Sequence, residues 1–303
     1  MTGSSSQRVA VVGASSQIGQ VLIPRLEAAG YIAYRIGRED RSATKGVTTH
    51  VFDEFSGNFV PSLGAADAVI SLAPLPSIDV VVKMAQALGA KRIIAFGSMG
   101  RFSKLGSASA IEQDFVVQQE RAENIFSMQC ETAGMGWTLF RPTMIYGADS
   151  DLNVSFIKSM ISKFGFFPIP VGANGLRQPV HVDDLASACV LALVHGVTCN
   201  KAYNLGGGEV LRFPVLVERI FEAEGKRAIL IPMPMLLFSL LISIAKKFPK
   251  AAFVRKEMVE RMFQDLTADS QAAKDDFGYA PRPFCLKMKV PNRGGLVRGH
   301  RHF

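Results

Sequence analysis

The stretch Arg8–Gly19, RVAVVGASSQIG, constrains this chain more than any other. A short β-branched run flows into a turn bounded by two glycines, and the turn opens a helix. Strand, tight turn and helix start in that order are what a dinucleotide pyrophosphate needs, because the first N–H groups of a helix have no partner inside it and point at the anion. Gly13 suits the sharp turn, and Gly19 lets the helix pack closely on the strand. The middle position, where backbone approaches phosphate, carries Ser16 instead of glycine. Ordinary strand-to-helix turns can carry the same pattern, so its meaning depends on the rest of the chain.

Beyond Gly19 the chain alternates regularly. A first helix is expected over Gln17–Ala29, with Ile18, Val21, Leu22 and Leu26 on one face, a kink at Pro24 and a stop at Gly30. Strands are expected at YIAYRIG, at His50–Asp53, at Ala68–Ala73, at Arg92–Gly97 and at Trp137–Arg141. Helical spacing fills Ile78–Leu88 and Ile111–Thr132 between them. Continuous apolar strands alternating with amphipathic helices imply an α/β fold: a doubly wound parallel sheet covered on both faces. After Gly147 the rhythm changes to Gly- and Pro-rich loops with short helices at Asp183–Val194 and Phe213–Ala223, while Lys201–Leu205 returns to the main sheet. The expected division is a Rossmann domain over 1–147 plus 178–208, a smaller substrate lobe over 148–177 plus 209–284, and a basic tail over 285–303.

With 303 residues, 48% apolar and 20% charged, the chain can bury a large core, and wholesale disorder is excluded. The net charge of +8 is a property of one end: Arg282, Lys287, Lys289, Arg293, Arg298 and Arg301 meet no carboxylate after Pro281. A solvated tail explains this better than a nucleic-acid surface, since no aromatic-interleaved basic face accompanies it. Four cysteines without C-x-x-C spacing read as reduced thiols, with no metal site, and the first residues lack an apolar targeting core; a cytoplasmic protein is expected. In Ile229–Ala245, Pro232 and Pro234 leave an uninterrupted apolar run of about eleven residues, short of the ~20 that span a bilayer. A buried helix is the favoured reading there, with weak peripheral membrane contact through Lys246, Lys247 and Lys250 as the other.

From Val9 to Phe284 the order of motifs resembles the extended short-chain dehydrogenase/reductase family, the nucleotide-sugar epimerases and dehydratases. GASSQIG stands where that family carries T-G-A-x-G-F-I-G, and ISLAP at its H-L-A-A strand end. FRPTMIYG is similar to R-P-x-x-x-Y-G, PVHVDDLA to V-H-V-D-D-x-A, NLGGGEV to N-x-G-G-G, and FGYAPRPF to the closing L-G-Y-x-P segment. The resemblance implies an NAD(P)-dependent epimerase, dehydratase or reductase acting on a nucleotide-activated sugar or similar hydroxy or keto substrate. Homodimers through the Ile78–Leu88 and Ile111–Thr132 helices are common in the family, so a homodimer is the expectation.

The resemblance also assigns cofactor residues. Gly13, Ser15, Ser16, Gln17, Ile18 and Gly19 wrap the pyrophosphate, Asp53 contacts adenine, and Ala73 and Pro74 pass under the nicotinamide-side ribose. At the end of the second strand an arginine suits a 2′-phosphate and a carboxylate a free ribose. Arg38, with Arg35 nearby, favours NADP(H), with NAD(H) left open; pairing of these arginines with Glu39 and Asp40 is the plain alternative.

The catalytic positions depart from the family. Its Ser is matched by Ser98, but aligning the next helix on Ala122–Glu123 puts Phe115 where Tyr is expected and Gln119 where Lys is expected. Phe has no exchangeable proton, and neutral Gln cannot lower the pKa of one. Tyr-based proton transfer is therefore lost, although Gln119 can still bind cofactor. Ser98, Tyr146 and Lys104 are the candidate catalytic residues, and Arg141 and Arg177 the candidate substrate binders, with a structural pairing equally open for Arg141. Glu112, Asp114 and Glu120 read as solvated helix carboxylates, and His181 as an organiser of a helix capped by Asp183. The alternative to an enzyme is a non-catalytic NADP(H)-binding sensor or scaffold.

Overall fold

The computed structural model describes residues 7–37, 49–51, 64–147, 151, 153–238 and 256–286. The sequence assignments at Arg38 and Asp53, the run 239–255 and the tail from 287 onward lie outside the described residues. Strand β1 (Arg8–Val12) leads through the Gly13 turn into α1 (Gln17–Ala28), and β2 (Ile32–Gly37), β3 (Thr49–Val51) and β4 (Ala68–Ser71) come next. Helix α2 (Ile78–Ala87) joins β4 to β5 (Arg92–Phe96), while the short α3 (Gly100–Ser103) and long α4 (Ala110–Thr132) join β5 to β6 (Gly136–Pro142). The chain then forms β7 (Ile145–Tyr146), α5 (Val154–Phe164), β8 (Phe167–Pro170), β9 (Leu176–Arg177), β10 (Val180–His181), α6 (Val182–Val194) and β11 (Lys201–Leu205). The remaining elements are β12 (Leu211–Arg212), α7 (Phe213–Ala223), β13 (Leu230–Met233), α8 (Lys256–Glu260) and α9 (Gln271–Phe277).

Seven strands form one parallel sheet in the order β11-β6-β5-β4-β1-β2-β3. Strands β1, β4 and β5 are apolar except for Arg8, Ser71 and Arg92 because both faces are covered. Val9, Val11, Ile70 and Ile94 pack toward α1, α6 and α9, whereas Ala10, Val69, Ile93 and Ala95 pack toward α2 and α4. The chain order reverses between β1 and β4, whose register sets Val12 against Ser71. A crevice outside the carboxyl ends of such a pair is where open α/β sheets take ligands.

A third cluster, separate from the sheet, gathers Tyr146, Ile157, Ile161, Phe167, Leu216, Phe221 and Phe284. It belongs to α5, α7 and the two-stranded pairs β13–β8 and β12–β9. Helix α1 runs through Pro24 and gives way to Gly30 at φ +87°. The cap of α6 differs from the sequence expectation. Asp183 is already inside the helix, and His181 is the N-cap, its Nδ1 accepting the Asp183 N–H at 3.1 Å. The Asp183 carboxylate is engaged instead by Arg25 and Arg282, which leaves the backbone donor to the imidazole.

Candidate nucleotide-binding site

The turn after β1 is fixed from three sides. Gly13 donates its N–H to the Ile36 carbonyl at 3.0 Å and takes φ +76°, and a Cβ there would crowd the Leu72 and Ala73 backbone at 3.2–3.3 Å. Ser16 returns an N–H to the Gly13 carbonyl at 2.9 Å, and its hydroxyl accepts the Gly19 N–H at 3.1 Å, capping α1. A Cβ on Gly19 would press into the Ala14 backbone closer than real Cβ atoms come. The Gln17 and Ile18 amides, at the start of α1, have no intrahelical partner and lie on the positive end of the helix dipole. The Gln17 side-chain oxygen is buried without a partner, and Ser15 is exposed at the rim.

Beside this mouth, at the carboxyl ends of β4, β5 and β6, lies a cavity of about 320 Å³. Ile18 contributes from α1, Leu72–Leu75 from the segment after β4, Phe96–Ser98 from the end of β5, and Pro142 and Ile145 from beyond β6. Helix α4 presents Phe115 and Gln119 to it, one turn apart on the same face. The two positions singled out from the motifs thus stand on the cavity wall together with Ser98. The Ser98 hydroxyl accepts the Gly100 N–H at 3.0 Å, and the Phe115 ring lies so near Gly100 that a Cβ there would stand 3.2 Å from it. Gln119 is 6% exposed, and its Oε1 has no partner.

Lys104 does not line the cavity. Its Nζ stands 4.1 Å from the centroid of the Phe115 ring and 3.6 Å from Glu112 Oε1. Glu112, expected at the surface, is buried because Arg261 meets the same oxygen from the far end of the chain. Asp114 and Glu120 are on the exposed side of α4, where they accept from Gln118 and Arg101.

Three candidate residues are placed elsewhere. Tyr146 is fully buried in the third cluster, its ring against His181 and Phe284 at 5.0 and 4.8 Å, and its hydroxyl accepts the Cys285 N–H at 3.2 Å. Burial pushes its phenol above the ordinary value, and its side chain does not line the cavity. Arg141 makes a two-point pair with Glu123, at 3.0 Å from Nε and 2.7 Å from Nη2. Arg177 is 5% exposed, and its guanidinium donates to the carbonyls of Leu176, Gln264 and Arg261. Desolvation, with Arg261 nearby, lowers its pKa to about 10. Both arginines are held inside the protein and not offered to a substrate. What the sequence did not reveal is Glu123 itself, a buried carboxylate between Arg101 and Arg141, directly behind Gly97 on the cavity wall. Its only signal was the Ala122–Glu123 pair used to align the helix.

The residues present fit a dinucleotide: a glycine cradle that side chains would fill, free amides at a helix start, and an unpartnered buried oxygen on a residue that lines the cavity. Fold and cavity together define a doubly wound α/β protein with its crevice at the strand-order reversal. More particularly, residues 79–206 match the sequence model of the NAD dependent epimerase/dehydratase family, which is the resemblance that the motifs carry. The chain is 23% identical over 174 residues to a UDP-glucose 4-epimerase of Vibrio cholerae, covering 57% of this chain and 50% of that protein. It is 33% identical over 100 residues to the mitochondrial NADH dehydrogenase [ubiquinone] 1 alpha subcomplex subunit 9 of Arabidopsis thaliana, covering 32% of this chain and 25% of that one. The chain thus spans half or less of the length of these two curated relatives. A crystal structure of UDP-glucose 4-epimerase with UDP-glucose from Thermotoga maritima shares the fold at TM-score 0.65 and 19% identity, over 91% of this chain and 94% of that one. Among the described residues no helix is long and apolar enough to cross a membrane.

Proposed function

We propose that this chain is an NAD(P)(H)-binding protein of the epimerase/dehydratase fold that holds its cofactor without the family's Tyr-driven proton transfer. The observation that carries the reading is the pair Phe115 and Gln119 on the cavity wall beside Ser98, where no side chain among the described residues has a proton to exchange near neutrality. In this reading the Gln17 and Ile18 amides take the pyrophosphate, Ala73 and Pro74 lie under the second ribose, and the unpartnered Gln119 Oε1 accepts one of its hydroxyls. A buried acceptor left alone costs about 1–3 kcal/mol, which a ribose hydroxyl would recover. Arg38 and Asp53 are the proposed adenosine-side contacts, and Arg38 favours NADP(H) over NAD(H). When bound, the cofactor supplies or accepts a hydride; the protein's part is to position it and exclude water.

A second reading, an epimerase, dehydratase or reductase working on a nucleotide-activated sugar, is favoured by Ser98, whose hydroxyl lines the cavity where a substrate oxygen would stand. Deuterium-labelled NADPH incubated with a panel of nucleotide sugars separates the two. Binding without deuterium transfer supports the holding protein. Transfer that Ser98→Ala abolishes establishes the enzyme instead. The double replacement Phe115→Tyr with Gln119→Lys is expected to raise any weak turnover. We further propose a reducing, cytoplasmic setting on the basis of the four free thiols. Weak peripheral membrane contact through the exposed Leu236 and Leu237 is proposed as well, testable by vesicle flotation.

A further inference from the structure

We infer that the cavity selects the reduced cofactor over the oxidised one, so that the protein responds to the redox state of the pyridine nucleotide pool. The inference rests on the dinucleotide reading above and adds to it which form is held. NADH and NAD⁺, or their phosphorylated counterparts, share the adenosine and pyrophosphate, so every contact at the Gly13–Gly19 turn is common to both. They differ at the nicotinamide, a cation when oxidised and neutral when reduced. A ligand shifts a balance only by its differential affinity, and here the difference must come from the cavity.

Among the described residues none that lines that cavity is charged, and Ser98 and Gln119 carry the polar side chains. A pyridinium entering it loses water and finds no counter-ion, a cost the neutral dihydronicotinamide does not incur. The two carboxylates close by are already answered. Glu123, behind Gly97, lies between Arg101 and Arg141. Glu112 faces Lys104 and Arg261. The side chain that does approach the wall is a cation, Lys104, 4.1 Å from the centroid of the Phe115 ring that lines the cavity. Lys104 shares Glu112 Oε1 with Arg261, so the three groups together keep one net positive charge, which repels a second cation and leaves a neutral ring untouched. Gln119 adds a neutral acceptor and no charge.

The test uses the full chain. NADH and NADPH are titrated by nicotinamide fluorescence, and NAD⁺ and NADP⁺ by calorimetry in the same buffer. The reduced form is expected to bind at least about tenfold more tightly, which raises the midpoint potential of the bound couple by about 30 mV. Lys104→Gln should shrink the ratio several-fold, and Gln119→Glu, which puts a carboxylate on the wall, should move it toward the oxidised form. Equal affinities, or tighter binding of the oxidised form, in the unaltered protein overturn the selection while leaving the dinucleotide reading intact. If neither form binds, both fall together. A tenfold ratio that neither replacement moves also overturns the argument, because its cause then lies outside this wall.

Discussion

A single methyl group separates the α1 turn from one that cannot close. At Gly19 a Cβ would overlap the Ala14 backbone, which the strand-to-helix turn gives no freedom to withdraw. Gly19→Ala is therefore expected to weaken dinucleotide binding more than tenfold and to lower Tm; unchanged affinity would mean that the pyrophosphate sits elsewhere. Glu123 is the opposite case, a residue whose neighbours make it indispensable. With Arg101 and Arg141 both directed at it, Glu123→Gln removes the charge that two part-buried guanidiniums share. The expected cost is about 3 kcal/mol in urea unfolding, and a loss under about 1 kcal/mol would show that solvent already screens the cluster. Tyr146→Phe removes only the acceptor for the Cys285 N–H, so stability should fall by about 1–3 kcal/mol with cofactor affinity unmoved. Arg177 and Tyr146 were misread from sequence, and Arg141 was left open between a substrate contact and a structural pairing, for one reason. An Arg or Tyr in a motif looks available until its partners are known, and those partners lie 18, 87 and 139 residues away.

Elements built from long periodic runs were legible: the β1–turn–α1 unit, the alternation through β6, and the return of β11 to the edge of the sheet. The two-residue strands that pair β7 with β10 and β9 with β12 were not, because a two-residue pairing has no period to read and exists only once tertiary packing brings its halves together. The start of α6 shows the same limit. Motif and propensity both point to Asp183 as the cap, yet two arginines from α1 and the C-terminal segment compete for its carboxylate, and His181 takes the backbone donor. That competition sets a pH dependence. Burial alone raises the Asp183 pKa, but the hydrogen bonds from Arg25 and Arg282 outweigh it, and the folded value lies below the ordinary one. A carboxylate depressed on folding stabilises the protein above its unfolded pKa, and that contribution fades as pH falls through the folded value. Urea midpoints of the unaltered protein and of Asp183→Asn should therefore differ at about pH 7 and converge below about pH 3. A gap that persists in acid would assign the effect to packing.

At the scale of the whole molecule, α4 is the element that both lines the cavity and presents an apolar outward face. One face carries Phe115 and Gln119 to the cavity, a second packs Ala122, Phe126 and Cys130 under the sheet, and its N-terminal turn holds Arg261 through Glu112. The outward face carries Val117 and Met128, 61% and 60% exposed, with half-buried Ile125 between them and Glu120, Arg121 and Asn124 around them. Apolar side chains repeated at helical spacing on a free face cost solubility unless something covers them. The occupant we expect is a second copy of this chain, since a two-fold axis would set Glu120 and Arg121 of one protomer against their counterparts of opposite sign. Light scattering should give a dimer mass at micromolar protein, and Val117→Glu with Met128→Glu should give a monomer with unaltered Tm. Because the cavity is built from the other side of the same helix, the monomeric variant should still bind reduced cofactor, only less tightly if pairing holds α4 rigid. A monomer mass for the unaltered chain would remove the pairing and leave the cavity argument standing, since every residue lining that cavity comes from one chain.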